Sequence, residues 1–345
     1  MSREAAVRLP PRVFGPEILV RRGRPLMGTL VGVTVRGHDP NALERVISGV
    51  FAEMERLEAI LSEWRPGSAV SRVNQSAGEA SVRVPVELIE VLQVASRVSR
   101  ATEGAFDVTW AALSSLWRLD DSAFRLPQVD LVSATRKLVD CRDVEVDVDG
   151  QTVFLRRRGM QLGLGGIAKA YIAERAADLA VAAGVRHILI DAGGDVVARG
   201  RNGERSWTVG VRDPRSASCV LATVDLKHEV VATSGDYEHF VDIDGRRYHH
   251  LLDPRTGYPA STSRSATVVA SDGALAEALS TALFVLGPRG LDALSAFAET
   301  AALLVDADGV VHMAANGGTG FRVVGEDADA ACPPTLLAMG TGSPG

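Results

Sequence analysis

Cysteines and long apolar runs are both scarce in this chain, and each scarcity argues against particular classes of protein. The three cysteines among 345 residues, Cys141, Cys219 and Cys332, lie far apart without CxxC or CxxxC spacing. This pattern argues against a disulfide framework or a cysteine-bound zinc ion, and it predicts a reducing, cytoplasmic compartment. No stretch has the length and apolarity of a membrane span. Residues 1–20 hold charges and prolines in place of the apolar segment of a secretion signal.

Excess positive charge and the familiar catalytic motifs are missing as well. Asp and Glu number 43 against 37 Lys and Arg, giving a net charge of −6. This balance predicts that the protein has no broad nucleic-acid-binding surface. The sequence contains no nucleophile-elbow serine motif, no Walker loop and no GxGxxG fingerprint opening a helix. It is therefore unlike the common hydrolases, P-loop NTPases and Rossmann enzymes.

The hydrophobic pattern predicts an α+β fold. Apolar residues recur at helical spacing between Pro40 and Ile60, and a second helix is predicted at 85–104. Strands are predicted at 29–36, 160–164, 186–190, 207–212, 220–226, 230–233, 240–243, 248–252 and 265–270, with a hairpin around Asp149-Gly150. We therefore expect helices packed on a largely antiparallel β-sheet in a single large domain, residues 26–325. Residues 1–25 are predicted to be a flexible arm and residues 326–345 a disordered tail.

A glycine-rich turn offers a candidate anion site. Gly165-Gly166 stands between a predicted strand and a helix start, and Lys169 follows one turn into that helix. Glycines allow the backbone to approach a ligand closely, and a helix N-terminus favours negative charge. A tight structural turn is the commoner explanation of a single Gly-Gly pair. Gly193-Gly194-Asp195 leaves the same two alternatives open.

His250 is the candidate general base. It precedes the turn Asp253-Pro254-Arg255-Thr256-Gly257, which holds the end of its strand, and a fixed imidazole can accept a proton. Its neighbour His249 is expected to point to the opposite face of the strand. A surface or core histidine is the alternative interpretation.

Glu277 and Thr281 stand four residues apart on one predicted helix, so their side chains share a face. Two hard oxygens in this arrangement suit one small cation. A solvated helix face is the alternative, but the surrounding helix is mostly apolar, and a buried charge needs a partner. With the histidine and the glycine turn, these residues indicate metal-assisted phosphoryl transfer.

Taken in order, these stretches resemble the ApbE-type family of FAD:protein FMN transferases. The matching stretches are Met27-Gly28-Thr29, Trp64-Arg65-Pro66-Gly67-Ser68 with Asn74, residues 104–109, residues 165–171, Gly193-Gly194-Asp195, Thr233-Ser234-Gly235-Asp236, residues 250–257 and residues 277–287. Each is weak alone, whereas the ordered set is specific. The resemblance implies an enzyme that binds FAD and a divalent ion, Mg²⁺ or else Mn²⁺, and transfers FMN to a threonine or serine hydroxyl of an acceptor protein. AMP would be released.

The resemblance also implies roles for individual residues. The FAD site would be lined by Met27, Trp64, Ala105, Phe106, Asp107, Lys169 and Leu251. The metal would be held by the Gly166 carbonyl, Glu277 and Thr281. His250 would activate the acceptor hydroxyl.

Three departures from the family pattern bear on these roles. Gly163 stands where the family commonly has aspartate, and Glu277 replaces the usual metal aspartate with a side chain one methylene longer. The export signal or lipid-anchored cysteine of many relatives is not seen, so a cytoplasmic acceptor is expected. Two other functions stay open: an FAD pyrophosphatase that releases FMN and AMP, and a non-catalytic FAD-binding protein.

Overall fold

The computed structural model describes residues 16–119 and 124–324. The predictions for the first fifteen residues and for the tail at 326–345 lie outside these ranges. The strands are β1 Ile18–Leu26, β2 Thr29–Gly37, β3 Val82–Arg83, β4 Val144–Asp147, β5 Thr152–Leu155, β6 His187–Ala192, β7 Asp195–Arg199, β8 Trp207–Asp213, β9 Ser216–Leu226, β10 Val230–Gly235, β11 Phe240–Ile243, β12 Arg246–His249, β13 Leu252–Asp253, β14 Tyr258–Pro259, β15 Ser263–Ala270, β16 Thr300–Asp306, β17 Val311–Asn316 and β18 Arg322–Val323. The α-helices are α1 Pro40–Leu61, α2 Ala69–Gln75, α3 Val86–Ala101, α4 Val129–Arg136, α5 Ala168–Ala182 and α6 Gly273–Leu286, and 3-10 helices cover Ala111–Leu116, Cys141–Asp143 and Gly287–Ala296.

An eight-stranded sheet forms the centre of the molecule, in the order β1-β2-β6-β7-β10-β15-β16-β17. Every pairing in it is antiparallel. Helices α5 and α6 pack on this sheet, and α1 and α3 pack against them. The predicted α+β architecture in a single domain is therefore confirmed.

The edge strand β1 overturns part of the predicted N-terminal arm. Residues 18–25 pair with β2 in a continuous register that runs from Ile18↔Gly37 to Leu26↔Thr29. The stretch is rich in arginine and includes Pro25, which obscured its strand character in the sequence. An edge strand tolerates both features, because one side of its backbone faces solvent.

Local signals explain where α1 begins and what it buries. The Asp39 side chain accepts hydrogen bonds from the backbone of Asn41 and Ala42, and Pro40 occupies the first turn, where its missing N–H costs nothing. The apolar stripe faces the core: Leu43, Ile47, Val50, Phe51, Met54, Leu57 and Leu61 are buried. Burying each large side chain of this kind stabilises the fold by about 1.5–3 kcal/mol. In the described ranges, no helix combines the length and apolarity needed to cross a membrane.

Two predicted strands are wrong. Residues 160–164 form an extended strap whose one bridge pairs Gln161 with Trp110. Its backbone groups bond elsewhere: both Leu162 backbone groups hydrogen bond to the Asn74 amide, and the Gly163 N–H donates to the Val108 carbonyl. The predicted strand at 248–252 breaks at His250, which lies between β12 and β13.

Candidate active site

The β1–β2 hairpin contributes one wall of the site. Its two turn residues, Met27 and Gly28, both have positive φ, 53° and 71°, as a tight two-residue hairpin turn requires. The turn borders an open groove of about 510 Å³ whose other walls include Glu58 and Arg65. Thr29, the next residue, packs against the Gly193 turn, where an added Cβ would lie 2.4 Å from the threonine hydroxyl.

The N-terminus of α5 lies at the centre of the site. Its N-cap residue, Ile167, supplies no side-chain hydrogen bond. Instead, Glu277 of α6 caps the helix from outside, because its Oε2 accepts the Ala170 N–H at 2.9 Å. The preceding Gly166 faces Thr281, whose hydroxyl would lie 3.1 Å from a Cβ added at this glycine. The structure thus brings the three predicted metal-binding residues together.

Lys169 projects from the first turn of α5 to Asp195 at the start of β7. Its Nζ lies 3.1 Å from Asp195 Oδ2, and the aspartate is almost completely buried. The other carboxylate oxygen accepts the Thr233 N–H at 3.2 Å. Burial would lower the pKa of Lys169, but the carboxylates of Asp195 and Glu277 outweigh burial and raise it. Lys169 is therefore a fixed cation at a helix N-terminus.

Two carboxyl groups, Asp195 and Glu277, share one cation, Lys169, in this buried group. Burial raises the pKa of Glu277 well above its ordinary value, and the nearby Asp195 carboxylate adds to the rise. Lys169 opposes the rise but carries only one charge against two carboxylates. A second cation would remove this imbalance.

A chain of hydroxyl groups fixes the face of α6 that carries Glu277 and Thr281. The Ser234 hydroxyl lies 3.1 Å from the Thr281 hydroxyl and 2.9 Å from that of Ser280. Ser280 in turn donates to the Glu277 carbonyl at 2.9 Å. The hydroxyl-rich stretch that begins at Thr233 was expected to be a turn, but Thr233 and Ser234 lie in β10, and the contact of Ser234 with Thr281 was not foreseen.

The two adjacent histidines occupy different environments, as predicted. His249 is buried, its Nε2 lies 2.9 Å from the Ala260 carbonyl, and its ring meets Phe284 edge-on at 5.3 Å. His250 is exposed on one side, while its backbone N–H donates to the His239 carbonyl at 3.1 Å. Desolvation of its ring lowers the pKa of His250, and the charge of Lys169 contributes to the same shift. The structure thus leaves the predicted base accessible to solvent and places its neighbour His249 in the core.

The segment Ala105-Phe106-Asp107 is buried, and its members play different parts. A phenyl carbon of Phe106 would lie 3.5 Å from a Cβ added at Gly166, so the ring supports the glycine turn. The Asp107 carboxylate points into the protein, where it accepts hydrogen bonds from the Thr109 N–H at 2.8 Å and the Cys141 N–H at 2.7 Å. These hydrogen bonds to Asp107 stabilise the conformation of the loop.

Leu251 and Trp64 differ in how much surface they offer a ligand. Leu251 packs partly against the main core, and its N–H donates to His249 Nδ1 at 3.2 Å. Trp64 is 77% exposed. The loop that carries it is joined to the glycine turn through Glu63, whose carboxylate accepts the backbone N–H groups of Leu164 and Gly165, while burial raises its pKa.

Comparison with known proteins establishes the family. The model of the ApbE family matches residues 27–305. The chain belongs to the ApbE family. Its similarity to individual ApbE proteins runs along most of its length. It is 34% identical over 264 residues to a protein of Klebsiella pneumoniae (strain 342) named FAD:protein FMN transferase, covering 76% of this chain and 81% of that protein.

A second relative and two solved structures are also similar to this chain over most of its length. A Treponema pallidum (strain Nichols) protein of the same name is 36% identical over 283 residues, covering 77% of this chain and 78% of that protein. The crystal structure of the ApbE protein from Thermotoga maritima superposes with a TM-score of 0.78 at 30% identity, covering 86% of this chain and 96% of that one. The apo flavinyl transferase ApbE of Pseudomonas stutzeri gives a TM-score of 0.75 at 30% identity, covering 89% and 95%.

In this ApbE chain, Trp110 is a further residue beside the glycine turn that sequence reasoning did not identify. Trp110 lies beside Trp64 in a small cleft, and its indole fills the space above Gly163, where an added Cβ would lie 3.1 Å from two ring atoms. The indole N–H donates to the Gly163 carbonyl at 3.1 Å. The two residues are 53 positions apart, so no local pattern signals their contact.

Proposed function

We propose that this ApbE-family protein transfers the FMN moiety of FAD to a threonine or serine hydroxyl of an acceptor protein and releases AMP. The observation that carries the proposal is the meeting of a cation, a helix N-terminus and a hard-oxygen cluster at Gly166, Lys169, Glu277 and Thr281. A pyrophosphate needs this combination, because its charge must be balanced before a nucleophile can attack it. The names of the relatives support the same function.

The residues fit a divalent cation such as Mg²⁺. Glu277, Thr281 and the Gly166 carbonyl would hold it through hard oxygens, the ligand type that Mg²⁺ prefers. Two buried carboxyl groups, Glu277 and Asp195, share the single cation Lys169, so a divalent ion bound here would favour their ionised forms. When bound, the ion would supply charge neutralisation at the pyrophosphate.

The protein's own residues would perform the other steps. Lys169 and the N–H groups at the start of α5 would bind the pyrophosphate, and His250 would accept the proton of the acceptor hydroxyl. The hydroxyl oxygen would then form a bond to the FMN phosphorus as the bond to the bridging oxygen breaks. AMP would leave with that oxygen. The cytoplasmic location stays a prediction from cysteine spacing alone.

The decisive experiment incubates the protein with FAD, Mg²⁺ and a candidate acceptor, and reads both proteins by intact mass. An FMN-sized adduct on the acceptor supports transfer. Free FMN and AMP without an adduct support a pyrophosphatase, and unchanged FAD supports a carrier. An acceptor whose target hydroxyl residue is replaced by valine or alanine is the matched control.

The first expected result is that the protein prefers FAD to riboflavin because Lys169 recognises the pyrophosphate. Lys169→Gln removes a charge-assisted contact worth about 1.5–3 kcal/mol, so FAD affinity should fall about ten- to hundred-fold. Riboflavin affinity should change little. Flavin fluorescence quenching measures both, and thermal unfolding checks that the variant is folded. Equal affinity of the unchanged protein for riboflavin and FAD would remove the pyrophosphate contact from the proposal.

A second expected result concerns pH. A neutral imidazole is the active form of a general base, and the lowered pKa of His250 keeps it neutral to a lower pH. Activity should therefore persist below pH 6.5 and fall only as pH drops through this lower pKa. The profile of kcat/KM against pH, with metal saturating, measures the acid limb. An acid limb with an apparent pKa at or above 6.5 that disappears in a His250 variant would contradict the environment described for this ring.

A further inference from the structure

A two-walled aromatic cleft lies beside the glycine turn. Trp64 and Trp110 line one small cavity, together with polar groups from Glu63, Asn74 and Gln161. The Trp64 indole is 77% exposed. Two indoles on one cleft offer apolar faces on which a planar ring can stack.

Trp110 is held in place as a rigid wall. Its indole N–H donates to the Gly163 carbonyl at 3.1 Å, and its ring occupies the space above that glycine. Any side chain at position 163 would collide with this ring or with Ala111, whose Cβ would lie 2.8 Å from a Cβ at Gly163. The Trp110 indole can therefore occupy this space only because position 163 carries no side chain.

The cleft is placed to take a ring joined to a phosphate. The chain passes from Gly163 to Gly166 in three residues, which span at most about 11 Å. Gly166 and Lys169 form the anion site, and Glu63 ties the Trp64 loop to the same backbone. A ring bound in the cleft would therefore lie close enough to a phosphate at the N-terminus of α5 for a sugar to join the two.

We propose that Trp110 is a ring-binding residue which, with Trp64, encloses one planar heteroaromatic ring of a phosphate-linked nucleotide. The inference rests on the proposed function, since FAD is the ligand that supplies such rings. FAD contains two such rings, the adenine and the flavin, and either of them can stack on an indole. Stacking of a base on an aromatic side chain contributes about 1–3 kcal/mol, which corresponds to about 5- to 150-fold in affinity.

The test measures dissociation constants for FAD, AMP and FMN, with Mg²⁺ present, in wild type, Trp64→Ala, Trp110→Ala and Trp110→Phe. Both alanine variants should weaken FAD binding about 5- to 150-fold. Both should also weaken the same half-ligand, AMP or FMN, and spare the other, which identifies the ring. Trp110→Phe keeps a stacking face while losing the N–H, so it should retain most of the affinity. The loss should appear in KM for FAD and leave kcat largely unchanged.

The outcomes separate this inference from the proposed function. Thermal unfolding reports whether Trp110→Ala is folded, and Trp64→Ala keeps the test valid in any case, because that side chain is exposed. Unchanged FAD affinity in either folded alanine variant, or loss of different half-ligands in the two, overturns the shared cleft. A wild-type protein that binds FAD but transfers no FMN overturns the proposed function alone, and one that binds none of the three ligands overturns both.

Discussion

His250→Ala should abolish FMN transfer while leaving FAD binding nearly intact. A general base contributes about 10²–10⁴ in rate and little ground-state affinity, so kcat should fall by that factor. The structure supports this role, because His250 is open to solvent on one side, where an acceptor hydroxyl can approach, while its lowered pKa keeps the ring neutral. Adduct formation followed by intact mass measures the rate, and fluorescence quenching measures FAD affinity.

His249→Ala is the matched control and should fail differently. His249 is buried against Phe284 and lies 2.9 Å from the Ala260 carbonyl, so its loss leaves a cavity and an unpaired carbonyl. Changes of this kind cost about 1–3 kcal/mol of stability, and the melting temperature should fall. Well below that temperature its transfer rate should stay close to wild type. If both variants lost transfer equally with unchanged melting temperatures, the argument that the two rings face opposite sides of the strand would be wrong.

The elements that sequence reasoning predicted well are those with local causes. Helix α1 has a capping aspartate, an N-terminal proline and an apolar stripe within one segment. The hairpin of β4 and β5 follows from Asp149-Gly150 between β-branched runs. The strap at 160–164 was misassigned because its partner is the Asn74 amide, almost ninety positions away, and hydrophobicity alone does not distinguish a buried strap from a buried strand.

In the candidate site, too, local contacts were predictable from the sequence and contacts between distant elements were not. Glu277 and Thr281 share a helix face by periodicity, and the structure places Thr281 beside Gly166 and Glu277 at the Ala170 N–H of the same helix start. The ion pair of Lys169 with Asp195 and the contact of Trp110 with Gly163 join separate elements of the fold. Composition and spacing carry no information about such pairs. Sequence reasoning therefore pointed to the candidate groups but missed the residues that hold them in place.

The other large effect is expected at Glu277. Activity should depend strictly on a divalent metal, with unusually good support from Mn²⁺, because the longer glutamate must fold back or push the ion outward. Mg²⁺ demands near-octahedral geometry at short distances, whereas a larger ion is less exacting. Glu277→Asp should therefore shift the preference towards Mg²⁺, and Glu277→Ala should leave FAD turnover near background. Initial rates in Mg²⁺, Mn²⁺ and EDTA measure all three.

Glu277→Gln separates the charge of this residue from its capping role. Glutamine can still accept the Ala170 N–H, so the start of α5 stays capped. Because burial raises the pKa of Glu277, the folded state disfavours the ionised carboxylate, and the resulting loss of stability grows as pH rises from the ordinary carboxyl pKa towards the raised one. The metal-free glutamine variant should therefore melt at or above the wild-type temperature. Wild type should gain stability on adding Mg²⁺ or Mn²⁺, as any ligand of the folded state produces, and the glutamine variant should lose this gain. Full activity in EDTA, an active Glu277→Ala enzyme, or an equal metal-induced rise in both proteins would remove this helix from the chemistry.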